Sequence, residues 1–349
     1  MALTPNQFLN SPPHQPPTIA SLSASPNPAI SGGKITLTSS GITGSIAAVR
    51  FYRESNGKAG LQTGAGGDIL VGTDTSATGG WSTVVATSGQ AAGVYTYYAQ
   101  VTDKSNAVSK VVLSNITLQA PPVPTDYAVF WNGTYVQNSA SAPTQPLGFF
   151  FTDRVFLKNA GDYAAGTLAF PGAGSPKNLA LANSTLLQLQ TAYVKNQAAL
   201  DGAFPFGTYT TTIANPSTGA SQVLSISHTQ DAFSASIPAL TASTYNAMQG
   251  MNAHSAFTFN FDSFLKGSIA TQSYVSFTIV NVATNQAVYS NNFLPSSTTS
   301  VSLAANVLQP NTKYQVQLDF SNRIVGKSGS TRTDQGFDLM TEANFTTGA

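Results

Sequence analysis

The chain has 349 residues, of which only 8% are charged, and its formal net charge is +1. Nucleic acids and anionic membranes attract strongly basic proteins, so this charge balance argues against both as partners. Cysteine is absent, which excludes disulfides and thiolate metal sites. Because single cores stop growing beyond about 250 residues, we expect two or three domains.

The polar surface must come mainly from Ser, Thr, Asn, Gln and Gly, a composition typical of secreted bacterial β proteins. No apolar run reaches the about 18 residues of a transmembrane helix, so no membrane span is predicted. Residues 1–5 lack the basic and apolar segments of a signal peptide. If the protein is exported, the signal has therefore been removed from this sequence, and we expect a secreted, cell-surface location.

Residues 1–17 form a Pro-rich N-terminal arm with few apolar residues. Such a composition favours extended chain over a packed element. One interpretation is a linker or tail, because chain termini are usually loose. The other is an arm that docks on a neighbouring subunit and supports self-association, with Phe8 and Leu9 as apolar anchors.

The first predicted domain covers residues 18–119 and shows short segments in which apolar and polar residues alternate, as in half-buried strands. The segments are 19–24, 34–39, 47–53, 69–73, 81–86, 95–102 and 108–118. A β-sandwich of immunoglobulin type has this number of short strands. Tyr95 opens one of them in the sequence AGVYTYYAQV (92–101), and we predict that it forms a tyrosine corner, a structural hydrogen bond between the ring hydroxyl and nearby backbone.

The order of motifs in this domain resembles the bacterial Ig-like repeats of large exported surface proteins. The motifs are VRFYRESNG (49–57), LVGTD (70–74), GWS (80–82) and GVYTYYAQVTD (93–103). The resemblance implies an extracellular role and, in many members, a calcium loop after the first motif. Here residues 54–63 place Lys58 and Ala59 where oxygen ligands would be expected, while calcium takes six to eight oxygens. We therefore predict an ordinary hairpin loop and no metal site.

A Pro-rich boundary (120–125) precedes a second predicted domain at residues 126–240, with strands at 149–157, 166–170, 209–214, 222–227 and 233–237. The Asn132-Gly133 pair between alternating apolar residues predicts a hairpin turn. Apolar residues recur at helical spacing over residues 184–200, which predicts one helix inserted in this domain. Tyr209, in FGTYTTTI (206–213), is the second predicted tyrosine corner.

Trp131 and Tyr135 flank the predicted turn and are candidate ligand-binding residues. In one interpretation they form an exposed platform on which a sugar ring stacks. In the other they pack inward, because a tryptophan in a sandwich strand usually belongs to the core.

The third predicted domain covers residues 241–349, with alternating strands at 257–261, 274–282, 287–291, 300–303, 314–320 and 337–345. Its sequence LQPNTKYQV (308–316) is similar to the corner of fibronectin type III domains, which implies a third structural tyrosine at Tyr314. The three corner tyrosines stand about one such domain apart along the chain. The predicted fold class is all-β, with tandem Ig-like and fibronectin III-like β-sandwiches.

No catalytic constellation or cofactor motif is found in the sequence. The three histidines have no neighbouring nucleophile motif, and neither a Gly-x-Ser-x-Gly elbow nor a His-Glu-x-x-His helix occurs. Glu occurs only at Glu54 and Glu342, and most Asp residues stand in turn contexts. We therefore expect a protein that is not an enzyme and carries no cofactor.

Two functions from different classes agree with these observations. The first is a non-enzymatic structural or adhesive surface protein, with other surface proteins or glycans as partners, that forms filaments through its N-terminal arm. The alternative is a carbohydrate-binding accessory protein of a secreted polysaccharide-degrading system.

Overall fold

A computed structural model describes residues 14–215 and 218–349 of the chain. The described residues separate into two compact units. The first unit contains residues 14–121 and 218–221, and the second contains residues 122–215 and 222–349. Most regular structure in both is β-strand, so the predicted all-β class is confirmed.

The first unit is a sandwich of two sheets, in which the strands follow the order β1-β3-β6 and β2-β8-β7-β4-β5. The strands are β1 Ser21–Ser25, β2 Ala29–Ile30, β3 Lys34–Ser40, β4 Ile46–Arg53, β5 Ile69–Asp74, β6 Trp81–Ala86, β7 Gly93–Asp103 and β8 Val112–Gln119. Alternate residues point to opposite faces of a strand, so Leu37, Phe51 and Tyr97 are fully buried between the sheets. Seven of these strands overlap the predicted segments, and β2 is an addition.

The second unit contains one long mixed sheet, in which the strands follow the order β15-β14-β11-β12-β13-β10-β9-β21-β20-β17-β18. A small second sheet pairs β16 with β19. The elements are β9 Asp126–Val136, β10 Pro146–Phe156, β11 Ala165–Ala169, β12 Lys177–Asn183, β13 Leu186–Gln190, α1 Gln197–Ala203, β14 Gly207–Ala214, β15 Ser221–His228, α2 Ala242–Met248, β16 Phe257–Asn260, β17 Gln272–Asn281, β18 Gln286–Pro295, β19 Ser300–Leu303, β20 Lys313–Ser328 and β21 Thr331–Thr346.

The long sheet runs through both the second and third predicted domains. Strand β21 pairs in parallel with β9 and antiparallel with β20. The buried side chains nevertheless form two separate clusters, one around Trp131 and Tyr209 and the other around Phe277 and Tyr314. A division into domains at residue 240 stays a prediction. The second cluster begins at Leu240, but Phe337 and Leu339 belong to the first cluster, and backbone pairing continues across the boundary.

The helix predicted at residues 184–200 is wrong. Residues 186–190 instead form β13, which pairs with β10 on one side and β12 on the other. Backbone pairing with two neighbours, together with burial of Leu187, overrides a helical spacing of apolar residues. The helix of this region is the short α1, which starts where the Asn196 side chain accepts a hydrogen bond from the Ala199 amide at 3.0 Å.

The hairpin turn predicted at Asn132-Gly133 is also wrong, because both residues lie inside β9. A Cβ atom on Gly133 would come within 2.6 Å of the Phe149 ring and 2.8 Å of Leu339. The glycine is therefore needed for close packing between strands, not for a turn.

Candidate functional site

Trp131 and Tyr135 are buried, so they form no exposed stacking platform. Trp131 is 0% exposed and stacks on the rings of His228 and Phe337, with centroid distances of 4.0 and 5.3 Å. Tyr135 is 8% exposed and meets Phe149 edge to face. Both lie on the face of β9 that turns towards the core, which agrees with the inward interpretation.

Phe8 and Leu9, the candidate anchors for self-association, lie outside the described residues. The end of the Pro-rich arm is held against the first unit. His14 Nε2 lies 2.6 Å from a carboxylate oxygen of Asp103, and Pro17 is buried. Residues 14–17 are thus attached to the first unit and do not form a free spacer.

Each of the three predicted corner tyrosines hydrogen-bonds backbone four or five residues upstream. Tyr95 donates to the Ala91 carbonyl at 3.0 Å, and Tyr209 donates to the Pro205 carbonyl at 2.8 Å. The Tyr314 hydroxyl accepts from the Gln309 amide at 2.9 Å. Tyr209 and Tyr314 are buried, whereas Tyr95 is half-buried. Their contribution to stability stays a prediction.

In the loop at residues 54–63 the nearby carboxylates bind backbone amides. Glu54 accepts hydrogen bonds from the Asn56 and Gly57 amides, both at 2.9 Å. Asp68 accepts from the Ser55 and Gln62 amides. These carboxylates therefore shape the loop. Among residues 14–215 and 218–349, no cluster of His, Asp and Glu has the arrangement of a metal site.

A concavity of about 560 Å³ lies on the second unit, on the face of the long sheet opposite the buried aromatic side chains. We call it the sheet-face groove. Small-molecule sites usually have volumes of about 300–1,000 Å³. The groove is lined by Asp126, Ala128, Phe130, Asn132, Arg154, Phe156, Gln272, Tyr274, Phe293, Arg323, Arg332, Asp334 and Asp338.

The strand register explains why residues distant in sequence meet in the groove, because residues paired across strands share a face. One row across β10, β9, β21, β20 and β17 contains Phe150, Asn132, Asp338, Ser321 and Tyr274. The adjacent row contains Thr152, Phe130, Gly336, Arg323 and Gln272. Five neighbouring strands thus build the floor of the groove.

Arg323 is at the centre of the floor. Its guanidinium bonds both carboxylate oxygens of Asp338 and lies 3.7 Å from Asp334. It also lies over the rings of Phe130 and Tyr274, at 4.9 and 5.1 Å from their centres. Such bidentate and cation–π contacts fix a guanidinium in one orientation. Arg323 therefore forms a rigid floor.

Gly336 makes this arrangement possible. A Cβ atom at that position would come within 2.2 Å of the Phe130 ring and 2.6 Å of an Arg323 guanidinium nitrogen. Only a residue without a side chain lets these two groups meet above the backbone of β21.

A β-bulge in β18 directs Phe293 towards the groove. The pairing of β17 with β18 shifts register between Val275 and Phe277, and Phe293 has a left-handed φ of 61°. A bulge re-aims the side chain that it carries. The Phe293 ring is 73% exposed and meets Tyr274 edge to face at 4.8 Å. An aromatic residue in this uncommon backbone conformation marks a local constraint.

Burial shifts the pKa values of several groups on this face. Burial, together with the charge of the neighbouring Asp338 carboxylate, raises the pKa of Asp319 to about 8. Burial also raises the pKa of Asp334, while Arg323 and Arg332 oppose that change. Near neutral pH, Asp319, which is not one of the residues that line the groove, is thus largely protonated.

The sequence interpretation missed the groove, although a signal was present. Two sets of polar residues at alternate positions lie close together in a chain with few charges: Asp319, Ser321 and Arg323, and then Arg332, Asp334 and Asp338, with Gly336 at the position between the last two. Alternation of this kind predicts outward-facing residues, which is correct. Their meeting with Phe130 depends on the pairing of β21 with β9, which local sequence does not reveal.

No protein-family model matches the chain, and no curated protein matches it. Among solved structures, it is similar to chicken CNTN1 FN1-FN3 domains at 12% identity, covering 94% of this chain and 99% of that one, with a TM-score of 0.24. A structure of a 1.5-MDa bacterial ice-binding adhesin gives 13% identity, 94% and 98% coverage and a TM-score of 0.25. Fibronectin(III)-like modules of Clostridium thermocellum CbhA give 14% identity, 61% and 94% coverage and 0.21.

Similarities at these TM-scores do not indicate a function. In the described parts of the chain, no helix has the length and apolar character needed to cross a membrane.

Proposed function

We propose that the chain is a non-enzymatic, extracellular adhesive protein and that it holds its ligand in the sheet-face groove. The observation that supports this most is the concentration of charged and aromatic side chains in one concavity of a chain that is only 8% charged. Burying ion pairs seldom stabilises a fold, whereas polar groups that converge in a concave site are typical of ligand binding.

The alternative function, a carbohydrate-binding accessory protein of a secreted polysaccharide-degrading system, uses the same groove. The exposed ring of Phe293 beside Tyr274 favours it, because an aromatic face stacks well on a sugar ring. The filament function depends on residues 1–13, which lie outside the described residues, so self-association stays a prediction.

Adhesion is tested with beads that carry the chain and flow over immobilised polysaccharides, matrix proteins or the chain itself. We expect retention on at least one surface and loss of retention with Phe293→Ala, which removes an exposed ring. Val94→Ala, a change at an exposed residue of the first unit, is the matched control. Retention that is the same for wild type and Phe293→Ala would contradict adhesion through the groove.

A further inference from the structure

Arg154 differs from the other groove arginines in its partners. Arg323 pairs with Asp338, and Arg332 pairs with Asp126 at 2.9 Å. Within residues 14–215 and 218–349, no ion pair or hydrogen bond joins Arg154 to a carboxylate. Its Nε atom is shielded from solvent and has no hydrogen-bond partner.

The position of the Arg154 guanidinium is nevertheless fixed. Its central carbon lies 5.2 Å from the centre of the Phe130 ring, and the residue is half-buried in the wall of the groove. Burial lowers the pKa of Arg154, the Asp338 charge raises it, and the Arg323 charge lowers it. The half-buried guanidinium therefore carries a positive charge to which no carboxylate is bonded, and an incoming anion can supply that partner.

The shape and charge of the groove favour a carboxylate as that anion. A guanidinium and a carboxylate are both planar and form paired hydrogen bonds. The groove already contains the carboxylates of Asp126, Asp334 and Asp338, which repel a doubly charged phosphate more strongly than a singly charged group.

We infer that the sheet-face groove binds a carboxylated sugar residue of an acidic polysaccharide, with the sugar carboxylate on Arg154 and the sugar ring against Phe293. This inference rests on the proposed binding function of the groove. The carboxylates of Asp334 and Asp338 provide acceptors for sugar hydroxyls at the floor.

A saccharide fits this site better than an acidic peptide does. Extended peptides bind sheets by adding a strand to an open edge, where backbone donors and acceptors are free. The groove floor is formed by β10, β9, β21, β20 and β17, each of which has a strand on both sides. Only side chains face the groove, so recognition there depends on rings, a guanidinium and carboxylates.

Calorimetric titration of the full chain tests the inference with defined probes. The probes are trimers of galacturonic, glucuronic and mannuronic acid, their methyl esters, a sulfated neutral trimer and a hexa-aspartate peptide. The variants are Arg154→Gln, Arg154→Lys and Phe293→Ala. The control is Arg50→Gln, since Arg50 is also a half-buried strand arginine, and it bonds Thr102 in the first unit.

We expect at least one uronate trimer to bind and its methyl ester to bind about tenfold to a hundredfold more weakly, as for a lost charge-assisted hydrogen bond. Arg154→Gln should produce the same loss and abolish the preference for acid over ester. Arg154→Lys should retain part of the preference for acid over ester. Arg50→Gln should change neither the affinity for the acid nor the affinity for the ester.

Other outcomes overturn the inference in distinguishable ways. Equal binding of acid and ester, lost with Phe293→Ala but not with Arg154→Gln, would refute the carboxylate while keeping the groove as the binding site. Preferential binding of hexa-aspartate or of the sulfated trimer would show that the groove selects an acidic peptide or a sulfated sugar and not a uronate. Absence of binding to every probe, with bead retention that still depends on Phe293, would overturn the saccharide inference and leave the adhesive function standing.

Discussion

The two faces of the central strands of the second unit carry opposite chemistry. On one face of β9 and β21, Trp131 and Phe337 are both 0% exposed and stack within a buried hydrophobic cluster. On the other face, Phe130 lies beneath the guanidinium groups of Arg154 and Arg323. The difference shows a division of roles: the covered face stabilises the fold by burying rings, whereas the uncovered face concentrates charge at a cost in desolvation.

Trp131→Ala should give the largest effect, because it removes the central ring of the covered face. We expect a loss of about 3–5 kcal/mol in the free energy of unfolding, as for other buried aromatic residues. Chemical denaturation measures this loss. Trp81→Ala, at a half-buried position of the first unit, should cost less, and equal losses would contradict the central position of Trp131.

Asp153, a buried residue on the covered face, should make the free energy of unfolding depend on pH. Burial raises the pKa of Asp153 from 3.8 to about 7, although Thr211 donates a hydrogen bond to it at 2.7 Å. Between these values the folded state retains a proton that the unfolded state has lost. The free energy of unfolding must therefore fall as pH rises, by at most about 1.4 kcal/mol per pH unit for this group.

Denaturation of wild type and Asp153→Asn from pH 4 to pH 8 checks this expectation. The Asn variant should show a shallower fall, because its amide stays neutral throughout. The exposed Asp262→Asn should keep the wild-type slope. An Asp153→Asn variant whose slope matches wild type would show that the carboxylate does not titrate in this range.

The tyrosine corners should have a smaller effect. Tyr209→Phe and Tyr314→Phe each remove a hydrogen bond that a buried tyrosine makes to backbone, so we expect a loss of about 1–2 kcal/mol from each. Tyr95→Phe should cost about 0.5 kcal/mol, because the hydroxyl of a half-buried residue is replaced more easily by water. Denaturation midpoints identical to wild type in all three variants would show that the corners are not structural.

Deletion of residues 1–13 should leave stability unchanged and abolish self-association, if the arm joins subunits. This truncation keeps His14 with its contact to Asp103. Analytical ultracentrifugation compares the two chains. A wild-type chain that stays monomeric at high concentration, or a truncated chain that associates equally well, would leave the arm as a linker.

The parts of the fold that could be predicted from sequence are those set by local alternation. The strands of the first unit, such as β3 with Ile35 and Leu37 buried and polar residues between them, follow directly from period-two patterns. Residues 186–190 could not be predicted in this way, because their state is decided by pairing with β10 and β12.

The groove could not be predicted from the sequence for a similar reason, because it depends on which strands pair. Arg332 and Asp126 are separated by 206 positions in the chain and yet form a direct pair across β21 and β9. The outward direction of these residues could be predicted from alternation, but their common location could not. Likewise, the aromatic residues singled out in the sequence, Trp131 and Tyr135, belong to the opposite face.

Arg154 and Val155 test the division between faces most directly, since they are adjacent in β10 and point to opposite sides. Val155 is 0% exposed in the core, and Arg154 lines the groove. The measurement is the free energy of unfolding and the uronate affinity of Arg154→Gln and Val155→Ala. We predict that Val155→Ala loses about 2 kcal/mol of stability and keeps its affinity, whereas Arg154→Gln keeps its stability and loses at least tenfold in affinity. If Arg154→Gln instead loses stability and binds uronate as wild type does, the uncovered face stabilises the fold and does not bind uronate, which contradicts the division of roles between the two faces.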